Sequence, residues 1–299
     1  MMKKVFGMMV AAALLAACND RSALTDDEVA QPDTGGGAGS VGGATASLGD
    51  VDSGTLENGV LTVVVALDGE DAIQEYALTG DVNGYDRYDQ QETPINRAFT
   101  AIAGSSSEEN ELVAIVTMDG GQFNRFFGGA VLEQGDFSAP DSGFVYYQGD
   151  YAGLVNAGAA LPPGGGAPDA VTPFGVGEVV GSVYLIADFT DNATEGTIYG
   201  RQVDIGGGFI DLEDVVLITS DIAADGTFNG TVELGDLSGV GTYSGAFGGD
   251  DAAFAGGLVA LDDGAYEGIF EEGVDTSNLQ EYGLFVIGQC EPASCFAAP

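Results

Sequence analysis

Thr227-Phe-Asn-Gly-Thr-Val-Glu-Leu234 alternates with a period of two: Phe228, Gly230, Val232 and Leu234 fall on one face, Thr227, Asn229, Thr231 and Glu233 on the other. That pattern belongs to a strand with one face in a core and one toward water. Upstream, Val183, Leu185, Ala187 and Phe189 repeat it against Tyr184, Ile186, Asp188 and Thr190. Further candidate strands run over Val60 to Leu67, Leu112 to Met118, Phe123 to Leu132, Phe144 to Leu154, Val215 to Ile222, Val240 to Phe247, Ala253 to Leu261 and Tyr282 to Gly288. Gly, Asp and Asn turn signals separate them, and no long segment carries a helical stripe.

The spacing predicts an all-β chain. Short antiparallel strands with no helices to cover their edges are best accommodated by closing into a barrel, within the β-rich stretch that begins after residue 55. Gly230, Gly245 and Gly256 are expected to supply the sharp bends of a small barrel. The Pro- and Gly-rich stretch between Asn156 and Gly177 is expected to be a loop inside that barrel, not an interdomain linker. A membrane-embedded barrel is disfavoured: the strand faces lack an aromatic-girdled apolar band and the sequence ends Ala-Ala-Pro.

Residues 1–17, MMKKVFGMMVAAALLAA, place Lys3 and Lys4 before the apolar run Val5 to Leu15, the layout of a secretory signal too short to span a bilayer comfortably. The run leads into Leu15-Ala-Ala-Cys18, which resembles the bacterial lipobox, so Cys18 is expected to become a lipidated N-terminus. Acyl chains contribute about 0.8 kcal/mol per buried methylene, enough for a lasting membrane anchor without a transmembrane helix. Residues 18–55, rich in Asp, Gly, Ser, Ala and Thr, read as a disordered tether. Asn19, where an Asp would retain a lipoprotein at the inner membrane, points to the outer membrane.

The chain of 299 residues holds 47 acidic and seven basic residues. Loss of Lys3 and Lys4 with the signal leaves five Arg against those 47, a formal charge of −42 with no Lys at all. Such a surface repels phosphate backbones, which excludes nucleic acid as a partner and favours basic or neutral proteins, cations or uncharged ligands. It also suits a high-salt milieu. The absence of His removes the commonest general base, the commonest zinc ligand and every His-activated nucleophile. Carboxylate-pair chemistry survives that exclusion, but no spacing singles out a pair among 47 acids, and the chain reads as a non-enzyme with no cofactor.

Cys290 and Cys295 stand close together in an oxidising compartment and are expected to form a disulfide that clips the last strand; a metal or redox site needs more ligands or a Cys-x-x-Cys helix. Asp81 to Glu92 places oxygen ligands at positions 1, 3 and 12 of a calcium loop, yet position 6 is Asp86 instead of Gly. A turn between strands is the better reading.

From residue 140 onward the series of segments resembles the C-terminal barrel of transferrin-binding protein B and related surface lipoproteins such as factor H binding protein. Tyr147-Gln-Gly-Asp-Tyr-Ala-Gly153 is similar to the opening strand, Ala187-Asp-Phe-Thr190 with Gly196-Thr-Ile198 to the second hairpin, and Asp225-Gly-Thr-Phe-Asn-Gly-Thr-Val232 to a Gly-x-Phe-x-Gly strand. Gly241 to Gly257 is similar to the family's Gly-rich hairpin, with Phe247 and Ala253 departing from its Pro and Glu, and Tyr282 to Gly288 stands at the closing strand. The resemblance implies an antiparallel eight-stranded barrel over residues 140–299, behind a smaller β-rich region at 56–139, on a lipid anchor, and a binding module for a protein partner, in places tied to iron or haem uptake, with an outer-membrane transporter or translocator beside it. It assigns no binding residue, because partner contacts in that family lie in variable loops. A periplasm-facing structural lipoprotein and a lipocalin-like small-ligand carrier are the alternatives.

Overall fold

A computed structural model describes residues 44–57, 60–67, 69–94, 96–106, 111–122, 125–156, 175–270 and 276–295. Eight antiparallel strands form a first sheet: β1 (Ala46–Gly49), β2 (Val51–Glu57), β3 (Val60–Leu67), β4 (Glu70–Val82), β5 (Tyr85–Gln90), β6 (Phe99–Ser105), β7 (Leu112–Asp119) and β8 (Gly128–Gln134). Their order is β1-β8-β7-β6-β5-β4-β3-β2, so two strands consecutive in the chain sit at opposite edges. Asp50 between them ties the edges together: its N–H donates to Gly128 C=O at 2.9 Å and its C=O accepts from Ala66 N–H at 2.7 Å. The sheet is therefore a nearly closed barrel.

The second sheet contains β9 (Phe144–Val155), β10 (Gly177–Asp188), β11 (Ala193–Asp204), β12 (Phe209–Asp211), β13 (Val215–Asp221), β14 (Thr227–Leu234), β15 (Gly239–Gly248), β16 (Phe254–Leu261) and β17 (Glu281–Gly288). Pairing of β10 with β11 and of β17 with β9 closes eight of these strands into an antiparallel barrel, with the three-residue β12 appended to β11. The segment after Asn156 connects β9 to β10, adjacent strands of this barrel.

Period-two alternation divides the strands among three cores. Phe228, Val232 and Leu234 point into the closed barrel with Val183, Leu185, Ala187 and Phe189, the face the sequence pattern assigns to them. Val51, Leu61, Val63, Val65, Tyr88, Phe99 and Ile115 fill the first sheet. On β7 the other parity, Leu112, Ala114, Val116 and Met118, meets Leu154, Leu258 and Leu284 from the outer wall of the barrel. Each fully buried Leu or Val here contributes about 2 kcal/mol of burial free energy, so the two sheets are held by a core of their own.

Two expectations change. The tether predicted to reach residue 55 gives way to strands from Ala46 onward, because Leu48 and Val51 find partners in β8 and β3 that a Ser-, Asp- and Gly-rich composition does not advertise. The strand expected from Phe123 begins at Gly128; Phe123 itself lies outside the described residues. Gly230, Gly245 and Gly256 are places of close approach. A Cβ at Gly230 would lie 2.6 Å from the Tyr243 ring and one at Gly245 2.3 Å from Phe228, so both make room for aromatic rings, while Gly256 admits Leu112 and Leu132 of the first sheet.

Candidate functional site

The barrel interior is occupied by its own side chains. Phe247 packs against Phe228, Phe189 and Tyr147 at centroid distances of 4.9, 5.3 and 5.4 Å. One end is stoppered by the 3-10 turn Asp250–Ala252, whose Ala252 C=O accepts from the Tyr147 hydroxyl at 2.7 Å. The other end is stoppered by the turn Asp263–Tyr266, capped by the Asp262 carboxylate on Gly264 N–H. These rings take up space that a small ligand inside the barrel would need.

Near the Tyr266 end lies a polar group that the sequence did not reveal. Arg201 and Glu281, both fully buried, pair at 2.6 Å. Glu281 also accepts from Tyr151 at 2.6 Å and Tyr266 at 2.5 Å, and Arg201 donates to Glu213 C=O at 2.9 Å. Burial first, and then the Glu281 charge, push both phenols well above the ordinary tyrosine range. Burial alone would lower Arg201, but the Glu281 charge, the Tyr266 and Tyr151 phenols and the hydrogen bond to Glu281 together outweigh it and hold the guanidinium above its usual value. Arg201 Nε is left without a hydrogen-bond partner, but the other bonds make the group a structural pin between β11, β17, β9 and the end stopper.

The first sheet is spliced into the barrel at a second place. The β17–β9 ladder runs from Glu281↔Val155 to Leu284↔Ala152, stops, and resumes at the bridge Tyr147↔Gln289. In the interval Tyr85 of β5 inserts its hydroxyl, accepting from Val286 N–H at 3.1 Å and donating to Asp150 C=O at 2.7 Å. One side chain thus replaces a rung of the barrel. The β4–β5 turn positions it: Asn83 (φ +50) and Gly84 (φ +86) both take the left-handed backbone of a tight two-residue hairpin. Asn83 then donates to Tyr151 C=O at 2.8 Å and Gly181 C=O at 2.7 Å, and Arg87 meets Glu178 of β10 at 3.2 Å. The Asp81 to Glu92 stretch is therefore a strand–turn–strand unit, and among the described residues no group of three or more His, Cys, Asp or Glu is placed to hold a metal ion.

The first sheet reaches β10 through Asn83 on Gly181 and Arg87 on Glu178; away from those contacts, β9, β10, β11 and β13 carry exposed apolar side chains. Phe144 is 62 % exposed and stacks on Tyr146, with ring centroids 6.5 Å apart. Across the strands Tyr146 pairs with Ile186, Ile186 with Glu195, Tyr184 with Thr197, and Thr197 with Val216, which is 39 % exposed. Between Thr194 and Gly196 the β11–β13 register slips, so that Ile218 and Thr219 stand opposite the single residue Glu195. This bulge opens a depression of about 350 Å³ walled by Tyr184, Ile186, Val216 and Ile218, with Glu195 at its rim.

Of the residues singled out in the sequence, Cys290 and Cys295 are joined in a disulfide beside the helical turn Pro292–Cys295. Cys290 N–H donates to Tyr146 C=O, which fastens the end of β17 against β9. Cys18 lies outside the described residues. Neither the buried ion pair nor the wall depression was visible beforehand: Arg201 and Glu281 are 80 positions apart, and the depression depends on a bulge.

No protein-family model matches the chain, and no curated protein does. Its fold is similar to solved structures of transferrin-binding protein B. A double mutant of the protein from Haemophilus parasuis Hp5, described as a vaccine antigen, aligns at 14 % identity and a TM-score of 0.43, over 82 % of this chain and 44 % of that one. The isotype 1 protein of serogroup B Neisseria meningitidis aligns at 12 % identity and a TM-score of 0.36, over 80 % of this chain and 52 % of that one. The chain spans about half the length of the solved structures it matches.

Proposed function

We propose that this protein is an outer-membrane lipoprotein, anchored by acyl chains on Cys18, whose barrel acts as a binding module that captures a protein partner on its outer surface. The aromatic and aliphatic wall carries the reading: a barrel stoppered at both ends and filled within offers a partner only its exterior, where Phe144 and Val216 are exposed and Tyr146 and Tyr184 half-buried. Contiguous exposed apolar area in a soluble domain marks interaction sites. The lipobox-like Leu15-Ala-Ala-Cys18 supports the anchor, and the absence of His supports binding over catalysis. A transporter or translocator acting alongside rests on the sequence resemblance.

Two measurements test this. Protease treatment of intact cells should degrade the domain if it is displayed, and a pull-down with the purified mature chain from its native milieu should retain a saturable protein partner. Full protection from protease together with co-purification of envelope components would replace capture by the periplasm-facing structural role.

A further inference from the structure

We infer that the depression between β10, β11 and β13 is the anchoring site of that capture, and that it takes a cationic segment of a protein partner: one apolar side chain entering beside Tyr184, Ile186 and Val216, and a flanking Arg or Lys meeting Glu195. The inference rests on the binding-module reading and adds to it a place and a partner chemistry.

The depression is built, not incidental. A bulge re-aims side chains and breaks the even surface of a sheet. Here it is held from inside the barrel, where the Tyr243 hydroxyl donates to Ile218 C=O at 2.5 Å and lies 3.0 Å from Ser220 Oγ. At the rim the Thr219 hydroxyl donates to Glu195 Oε2 at 2.7 Å and fixes the direction of the carboxylate. Aromatic and aliphatic walls around one small recess suit a single inserted anchor, the arrangement in which a few residues carry most of an interface's energy.

Charge selects the occupant. Between residues 140 and 299 the only basic residue is Arg201, and it is buried against Glu281. The barrel's own exposed surface therefore supplies carboxylates and no cation, and Arg87 of the first sheet meets it at Glu178 of β10. Around the depression stand Glu195, Glu233 opposite Val216, and Asp221 and Asp188 both opposite Ala193. An anionic peptide or an anionic membrane face meets repulsion on every side, whereas an Arg- or Lys-bearing segment is steered inward and specified by the rim.

The test uses the mature full chain and a synthetic nonapeptide of alternating Arg and Gly with a central Phe, titrated by calorimetry. We expect saturable one-site binding that Ile186→Asp or Val216→Asp weakens by about tenfold or more, Glu195→Gln by a smaller factor, and the Ile73→Asp change on the first sheet not at all. Thermal melts of the variants establish that they are folded. The inference is overturned if Ile186→Asp and Val216→Asp bind like the parent, or if the peptide with central Gly binds as well as that with Phe, which is general charge attraction. Binding to phosphatidylcholine vesicles that Ile186→Asp abolishes, without peptide binding, would put a lipid surface in place of the protein segment. If the native partner is still retained by the Ile186→Asp chain, capture occurs elsewhere and only this inference falls. If the parent chain retains no partner from its milieu while the peptide titration succeeds, the capture reading falls instead.

Discussion

Tyr85 shows how much one hydroxyl can carry when it stands in for a backbone rung. Its removal in Tyr85→Phe leaves Val286 N–H and Asp150 C=O facing each other across an unfilled seam. We expect a loss of about 1–2 kcal/mol, with faster amide exchange at Val286; unchanged exchange there would show that the rung is made by something else. The Arg201–Glu281 pair is a harsher case, because each partner carries the opposite charge that offsets the other's burial. Glu281→Gln should cost about 3–5 kcal/mol in thermal or urea melts, and adding Arg201→Met should recover a substantial part, since the pair is more harmful half-removed than absent. A double variant no more stable than the single one would show that Tyr151 and Tyr266, not the charge of Glu281, carry the pin.

Elements were legible where alternation was strong and poorly legible where tertiary partners supplied the burial. β14 and β10 could be assigned face by face, because Phe, Val and Leu alternate there with Thr, Asn and Asp. β1 and β2 could not, since Ala46–Gly49 and Val51–Glu57 owe their strand form to ladder bonds with β8 and β3. The Cys290–Cys295 clip acts at this scale too. A loop this short restricts the unfolded chain modestly, so replacing both cysteines by Ser should cost about 2 kcal/mol and loosen the end of β17 at its contact with Tyr146 C=O. Amide exchange at Cys290 and its neighbours is the measurement, and protection equal to the parent's would make the clip redundant with the β17–β9 pairing.

For the whole molecule, acidity governs stability. Burial raises the carboxyls of Asp50, Asp119, Glu133, Glu178 and Asp262 above their ordinary values; neighbouring Asp52 adds to Asp50, while Arg97 and Arg87 pull Asp119 and Glu178 partly back. A carboxyl raised in the folded state binds its proton more tightly there than in the unfolded chain. Its contribution to stability is therefore present at low pH and lost as pH rises through the raised value. Self-repulsion of a chain with 47 acidic residues acts in the same direction. The thermal midpoint should rise as pH is lowered from neutral toward the ordinary Glu value of 4.5, and should rise at neutral pH with added salt, whose screening length is about 10 Å at 0.1 M. A midpoint that falls steadily on mild acidification would mean that carboxylate partners outweigh burial and repulsion.

By itself the amino-acid sequence determined the all-β class, the inward faces of the alternating strands, closure into a barrel, the Cys290–Cys295 pairing and the extreme negative charge, because each follows from local period, residue type or composition. Only the tertiary structure decided that the first region is a nearly closed eight-stranded sheet, that Tyr85 completes the barrel seam, that Arg201 and Glu281 meet inside it, and that a bulge opens a recess on the outer wall. These are long-range coincidences: they depend on which strands lie side by side and in what register, and no window of sequence short enough to show a period contains both partners.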